Sequence, residues 1–117
     1  MSYPGLTVMT MTEAAARAHI TRFNSAVTSG DWSSFIAALH PRAVMTFIGP
    51  SVGPFHGRDA IADAYAADPP DDTIKVVDIR SDGETDLVTF EWSRGGTGTL
   101  TLRHAKGQVT HLTVRFD

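Results

Sequence analysis

The periodicity of apolar residues changes near residue 72, and this change limits the possible folds more than any other feature of the chain. Before it, apolar positions recur at three- and four-residue spacings, which predicts helices over about 12–28 and 31–39 and a third that ends at Asp68. After it, apolar and polar residues alternate, which predicts strands over 73–81, 86–94, 99–104 and 109–116. Helices followed by strands are typical of an α+β domain, so we predict three N-terminal helices wrapped by a curved antiparallel sheet.

Proline and glycine residues mark the boundaries of these elements. Pro41 ends the second predicted helix, because a proline disfavours helical geometry at the residue before it. A short strand follows over 43–48. Turns between the late strands are predicted at Asp82-Gly83, Gly95-Gly96 and Lys106-Gly107. Such short turns join neighbouring antiparallel strands, so the four late strands are predicted to form a meander.

The composition is that of a globular protein. A chain of 117 residues suits one domain, which we place at 11–117 after a flexible tail at 1–10. The absence of cysteine excludes disulfides and thiolate chemistry, and a net charge of −3 argues against a nucleic-acid partner. No apolar run reaches the roughly 18 residues of a membrane span, and no export signal is visible. We therefore expect a cytoplasmic protein that does not bind membranes.

The stretch from Pro54 to Tyr65 leads from an extended segment into the third helix. Gly57 suits the junction, because glycine adopts backbone angles that other residues avoid. Ile61 and Tyr65 are four residues apart and share one apolar face of the helix. The Tyr65 ring is predicted to be buried, and its hydroxyl has two readings: a core tyrosine bonded to a carbonyl, or a polar group in an apolar pocket.

The order of elements and four short motifs resemble one known superfamily. The motifs are Arg22-Phe23 through Ser29-Gly30-Asp31-Trp32, His40-Pro41-Arg42-Ala43-Val44, Phe55-His56-Gly57-Arg58-Asp59-Ala60-Ile61 and Phe90-Glu91-Trp92. Together they resemble the nuclear-transport-factor-2-like superfamily, which includes steroid Δ5-3-ketoisomerases and SnoaL-like polyketide cyclases. The resemblance covers roughly residues 12–116.

The resemblance implies a sheet that wraps around the first and third helices and leaves a conical cavity open at one end. Together with Tyr65, the residues expected to line it and bind a ligand are Phe23, Met45, Phe47, Phe90, Trp92, Leu100, Leu102, Leu112, Val114 and Phe116. The opposite sheet face often forms a homodimer interface in such proteins. Here that face carries Thr99, Thr101, Arg103, His111, Thr113 and Arg115, and exposure to solvent is the alternative.

The catalytic set of the steroid isomerases is absent from the matching positions. Their base falls on Phe47 and their first-helix tyrosine on Phe23. Their late-strand acid falls on Leu100, or on Thr101 if the register shifts by one. Only a supporting tyrosine survives, as Tyr65. Isomerisation by that route is therefore not expected, because the fold alone does not supply the chemistry.

Other branches of the superfamily use different carboxylates. SnoaL-like cyclases use an aspartate with a neighbouring histidine, and Asp78 is the nearest candidate here. Limonene-type epoxide hydrolases use an Asp-Arg-Asp set. Asp78 and Arg80 share one strand face, but a second inward aspartate is not found.

Histidine is the usual acid or base near neutral pH. His104 follows Leu100 and Leu102 on the inner face, and we place it at the cavity mouth as a catalytic candidate. A solvated residue at the turn is the alternative. His56 is a second candidate, in the loop before the third helix. His19 is predicted to be a surface or boundary residue. The two candidate histidines lack a metal-ligand spacing, so no metal and no cofactor are expected.

Two functions remain open. The first is a small-molecule enzyme that isomerises, cyclises or dehydrates an apolar cyclic or polyketide-like compound. Tyr65 would donate a hydrogen bond, and His104, His56 or Asp78 would move a proton. The second is a non-catalytic ligand-binding or dimerisation module that lacks the catalytic carboxylates of the superfamily.

Overall fold

A computed structural model describes residues 11–117, with side chains from residue 13 onward. The predicted tail at 1–10 lies outside the described residues. The elements in chain order are α1 (Met11–Ser29), α2 (Ser33–Ala37), β1 (Leu39–Ile48), β2 (Phe55–His56), α3 (Arg58–Ala67), β3 (Ile74–Asp82), β4 (Thr85–Trp92), β5 (Thr97–Ala105) and β6 (Gln108–Phe116). No helix in the described part of the chain is long and apolar enough to cross a membrane.

The six strands form one sheet in the order β2-β1-β6-β5-β4-β3. Strands β3 to β6 make the predicted antiparallel meander. The sheet is mixed rather than wholly antiparallel, because β1 pairs with β6 in the parallel direction. Parallel neighbours need a long crossover rather than a hairpin, and here α3 and four strands lie between them in the chain. No turn motif in the sequence indicates that β1 and β6 run parallel.

Strand β1 begins earlier than predicted. The helix expected to reach residue 39 ends at Ala37, and Leu39 already belongs to the strand. Pro41 forces the residue before it into an extended conformation, so its effect extends upstream. The register with β6 is irregular between Leu39 and Val44, where the proline supplies no N–H for the ladder.

The concave face of the sheet packs against α1 and α3. On β4 the alternation follows the prediction, since Val88 and Phe90 are buried and Leu87 is exposed. Asn24 fastens α1 to β3 through two hydrogen bonds: its Nδ2 donates to the Ile74 carbonyl at 2.8 Å, and its Oδ1 accepts from the Ile74 N–H at 2.9 Å. These two bonds fix the helix that forms one wall of the cavity described below.

Gly98 on β5 makes room for an aromatic side chain of the neighbouring strand. A Cβ atom at this position would lie 2.6 Å from the Phe90 ring and 2.6 Å from the Arg115 carbonyl oxygen. Real Cβ atoms do not approach other atoms so closely. The glycine therefore allows the Phe90 ring to lie across β5 and to form part of the concave surface.

Candidate functional site

A cavity of about 620 Å³ lies between the helices and the concave face of the sheet. Its wall is mostly aromatic, formed by Phe23, Phe35, Phe47, Phe55, Tyr65, Phe90, Trp92 and Phe116. Of the ten residues predicted to bind a ligand, eight line this cavity. Met45 and Leu102 do not, because they are fully buried in the core below it.

The rim of the cavity is formed by aromatic rings and by the segment between α3 and β3. Trp92 and Phe116 are stacked, with ring centroids 5.5 Å apart and an interplanar angle of 18°. Phe90 meets Trp92 edge-on at 5.1 Å. Residues 68–72 and Arg94 complete the rim. The cavity is thus bounded by large, flat and mainly apolar surfaces.

Tyr65 lies on the inward face of α3 and lines the cavity. Its ring packs between Trp32 and Phe35, with centroid distances of 4.8 and 5.7 Å. The hydroxyl forms no hydrogen bond with any residue that the structure describes. Burial raises the pKa of the hydroxyl, so it stays protonated and can donate a hydrogen bond into the cavity.

His19 was predicted to be a surface or boundary residue, and this prediction was wrong. The residue is 2% exposed, lines the cavity and packs its ring 5.0 Å from that of Phe35. The buried stripe of α1 is wider than the spacing of Ala16, Ile20 and Phe23 indicates, and position 19 falls within it. Burial, followed by the charges of Arg22 and His104, lowers the pKa of His19 to about 3. The imidazole is therefore neutral near pH 7.

Asp86 is the residue that the sequence analysis missed. It is fully buried, and its Oδ1 accepts a hydrogen bond from the Ser81 hydroxyl at 2.5 Å. Its Oδ2 lies 3.9 Å from Nδ1 of His104. The signal was present, since Asp86 is two and four residues from the inward Val88 and Phe90. The predicted strand begins at Asp86, but no face of the sheet was assigned to this residue.

His104 is buried rather than at the cavity mouth. It is 8% exposed, and its backbone N–H bonds the Glu84 carbonyl, at the opposite end of β4 from Trp92. Burial lowers the pKa of His104, the Asp86 carboxylate opposes this shift, and the charge of Arg22 adds to it. The histidine thus has an aspartate partner below the cavity, not beside its opening.

Four residues on α1, β4 and β5 hold all the buried side-chain nitrogen and oxygen atoms that lack a hydrogen-bond partner in the described part of the chain. These atoms are His19 Nδ1, Arg22 Nε, Asp86 Oδ2 and both ring nitrogens of His104. We call these residues the polar cluster. Buried polar groups are almost always hydrogen-bonded, so several unpartnered atoms in one place indicate a water or ligand site or a functional role. Only His19 of the cluster also lines the cavity.

Two predicted catalytic candidates lie outside the cavity. His56 is on β2 and exposed. The Asp78 side chain is 52% exposed and pairs with Arg80 at 3.1 Å on the outer sheet face. Neither residue lines the cavity. Among the described residues, no group of three or more histidine, aspartate or glutamate side chains is arranged to hold a metal ion.

The fold and the cavity define the class of NTF2-like cone proteins, and comparison with known proteins gives the family. The SnoaL-like domain matches residues 20–117. The chain belongs to the SnoaL-like family. No curated protein matches the chain.

Solved structures with the same fold are similar over most of their length. An NTF2-like protein of unknown function from Burkholderia xenovorans is 19% identical, with 92% of this chain and 87% of that chain covered and a TM-score of 0.70. A candidate ketosteroid isomerase from Kribbella flavida is 19% identical, with 89% and 78% covered and a TM-score of 0.69. A candidate SnoaL-like polyketide cyclase from Jannaschia is 12% identical, with 93% and 90% covered and a TM-score of 0.69. At these identities the likeness shows the fold alone.

Proposed function

We propose that the protein is a cofactor-free enzyme that binds an apolar cyclic compound in the aromatic cavity and moves a proton on it. Isomerisation, cyclisation and dehydration all proceed through such a step when a carbonyl group activates the neighbouring carbon. One observation carries the proposal: the polar cluster, with its buried carboxylate and two histidines, lies next to an aromatic cavity of substrate size.

The cavity residues suit the recognition of a neutral oxygen atom. Tyr65 is a protonated donor without a described partner, and His19 is a neutral imidazole. Both rings pack against Phe35, so both belong to the same region of the wall. Neutral donors that are already in place stabilise negative charge that develops on a carbonyl oxygen. In this proposal they hold the ligand oxygen.

The Asp86–His104 pair suits proton transfer. A carboxylate beside an imidazole orients the ring and stabilises its protonated form. The 3.9 Å separation is longer than a hydrogen bond, as is common for catalytic groups without a ligand. Because this pair does not line the cavity, we propose that a water molecule connects it to the ligand. In the proton step, a proton leaves the ligand carbon next to the carbonyl and passes to the Asp86–His104 pair, and the ligand becomes an enolate. A proton from solvent is then added to the same carbon.

Hydrogen–deuterium exchange tests this proposal without a known substrate. A panel of cyclic ketones is incubated with the protein in D₂O, and deuterium at the carbon next to the carbonyl is followed by NMR. We expect accelerated exchange with at least one ketone, and a loss of about 100-fold in Asp86→Asn, as for removal of a general base. Asp78→Asn is the matched control, because it neutralises an exposed aspartate on the neighbouring strand.

The alternative is a binding module without catalysis. Fluorescence of Trp92 in a Trp32→Phe background reports binding, because Trp92 lines the cavity. Saturable quenching by ring compounds, weakened by Tyr65→Phe, combined with no accelerated exchange, would favour the module. If no ring compound changed the fluorescence of Trp92, the cavity would not be a ligand site, and both the enzyme and the binding module would be contradicted.

Two further parts of the proposal concern the molecule as a whole. We propose a homodimer through the outer sheet face, whose threonines and exposed Leu87 are not covered by a described element. A cytoplasmic location stays a prediction from the sequence.

A further inference from the structure

Acidic side chains stand at the rim of the aromatic cavity. The segment between α3 and β3 contributes Asp68, Asp71 and Asp72 to the wall, against the single cation Arg94 among the described lining residues. Arg94 lies 3.4 Å from the Asp71 carboxylate and 3.9 Å from that of Asp72. Asp68 makes no ion pair with a described residue. Three carboxylates and one guanidinium leave the rim with two net negative charges.

Among the described residues, the interior of the cavity adds no compensating charge. Burial and the nearby charges of Arg22 and His104 lower the pKa of His19 to about 3, and burial raises the pKa of Tyr65, so both side chains are neutral near pH 7. Arg22 and Asp86 of the polar cluster do not line the cavity. The electrostatic character of the opening is therefore set by the acidic rim.

Aromatic walls and an acidic rim together favour one charge type. The face of an aromatic ring is electronegative and attracts cations, most strongly when the ring is tryptophan. Trp92 and Phe116 lie stacked at the rim and line the same cavity as Arg94 and the three carboxylates. Deeper in the cavity, His19 and Tyr65 are more than nine-tenths buried and lack described partners for His19 Nδ1 and the Tyr65 hydroxyl. They mark the cavity as a ligand site independently of the rim.

We infer that the cavity takes a hydrophobic organic cation, an amine or quaternary ammonium attached to an apolar ring. The ring lies between the aromatic walls, and the charge lies at the rim near Trp92 and Asp68. This inference rests on the proposed function only in that the aromatic cavity is the ligand site. It does not depend on catalysis, so it holds equally for an enzyme and for a binding module.

Three probes of matched shape test the charge preference. Benzyltrimethylammonium, neopentylbenzene and benzylsulfonate share a phenyl ring and a tetrahedral group and carry positive, zero and negative charge. Each is titrated into the full chain, and amide chemical shifts of the cavity residues give the dissociation constant. We expect the cation to bind about fivefold more tightly than the neutral probe, and the anion more weakly than both. Added salt weakens only the preference for the cation.

Two single-charge variants locate the effect. Asp68→Asn removes a rim carboxylate that has no ion-pair partner among the described residues. Asp63→Asn removes an exposed carboxylate from α3 that does not line the cavity. Both variants change the net charge equally. We expect Asp68→Asn to weaken binding of the cation about two- to threefold without affecting neopentylbenzene, as for the loss of one partly screened charge. Asp63→Asn should leave all three affinities unchanged.

Three other results of the probe titrations would contradict the proposed cation site or its location. Equal or tighter binding of neopentylbenzene or benzylsulfonate would contradict the cation preference and leave the cavity of the proposed function intact. An equal effect of Asp63→Asn would assign the preference to net charge rather than to the rim. If none of the three probes shifts the cavity resonances at millimolar concentration, the cation site is wrong and the ligand site of the proposed function falls with it.

Discussion

His19 shows how a single side chain links the stability of this protein to pH. The neutral imidazole lies on the buried side of α1. Burial and the charge of Arg22 disfavour its protonation there. In the unfolded chain the same group titrates near pH 6.5. The unfolded state therefore binds more protons than the folded state between about pH 6.5 and pH 3, and acid favours unfolding in this range.

We predict that this residue makes the protein less stable below pH 6.5. The contribution of neutral His19 to the free energy of unfolding is complete above pH 6.5, the pKa in the unfolded chain. It declines as the pH falls toward about 3, the pKa in the folded protein. Between pH 7 and pH 5 the loss is about 2 kcal/mol, from the two pKa values and 1.36 kcal/mol per unit. Urea unfolding at both pH values should show this loss in the wild type and not in His19→Gln. His56→Gln is the control, and an unchanged pH dependence in His19→Gln would contradict the prediction.

At the scale of one element, β4 and β5 form the wall through a close approach of side chain to backbone. The Phe90 ring occupies the space that a side chain at Gly98 would need. Phe90 in turn supports the stacked pair of Trp92 and Phe116 through its edge-on contact. The absence of a Cβ atom at Gly98 thus makes room for Phe90 and, through it, for the stacked rings at the rim.

We predict that Gly98→Ala destabilises the fold by about 1 to 3 kcal/mol, because the new Cβ overlaps both the Phe90 ring and a carbonyl oxygen. The displaced ring should also weaken the binding of aromatic probes. Chemical denaturation and the probe titrations measure the two effects. Thr99→Ala in the same strand, on the opposite face, should change neither. A denaturation curve of Gly98→Ala identical to that of the wild type would show that the wall accommodates the added methyl group without loss of stability. That result would contradict the prediction.

The sequence predicts which face of a strand is inward, but not how deep each inward residue lies. Alternation placed Phe90, Trp92 and Leu100 correctly, since strand geometry alone determines sidedness. Met45 and Leu102 share that face and yet lie in the core below the cavity. Depth depends on where the helices close the cone, which is a long-range property. The polar cluster could not be predicted for the same reason. Its residues lie on α1, β4 and β5, which are far apart in the chain.

At the scale of the whole molecule, one side of the sheet is covered by helices, and no described element covers the other side. The central row of the open face runs through Leu87, Thr101 and Thr113, which are paired across neighbouring strands. Leu87 is 42% exposed. A broad, weakly polar face of this kind is suited to association with a second copy, which would also protect its apolar side chains.

We predict a dimer at tens of micromolar concentration that Thr101→Glu converts to a monomer, because a second copy would bring the two new carboxylates together without partners. Light scattering coupled to size-exclusion chromatography gives the mass. Thr21→Glu makes the same chemical change on the exposed side of α1 and should stay dimeric. A monomeric wild type would refute the dimer, and a dimeric Thr101→Glu would place the interface elsewhere.

The parallel pairing of β1 with β6 also has a consequence for the order of folding. Among the described strands, β1 pairs only with β6 and with the two-residue strand β2. Its long edge therefore stays unpaired by any of these strands until β6, the last strand in the chain, has formed. Phe47 can face Val114 only after that step. Contacts between distant parts of a chain form slowly, because a large loop must close first. We therefore expect the hairpins β3–β4 and β4–β5 to appear early, and the aromatic cavity to be completed in the slowest phase of refolding.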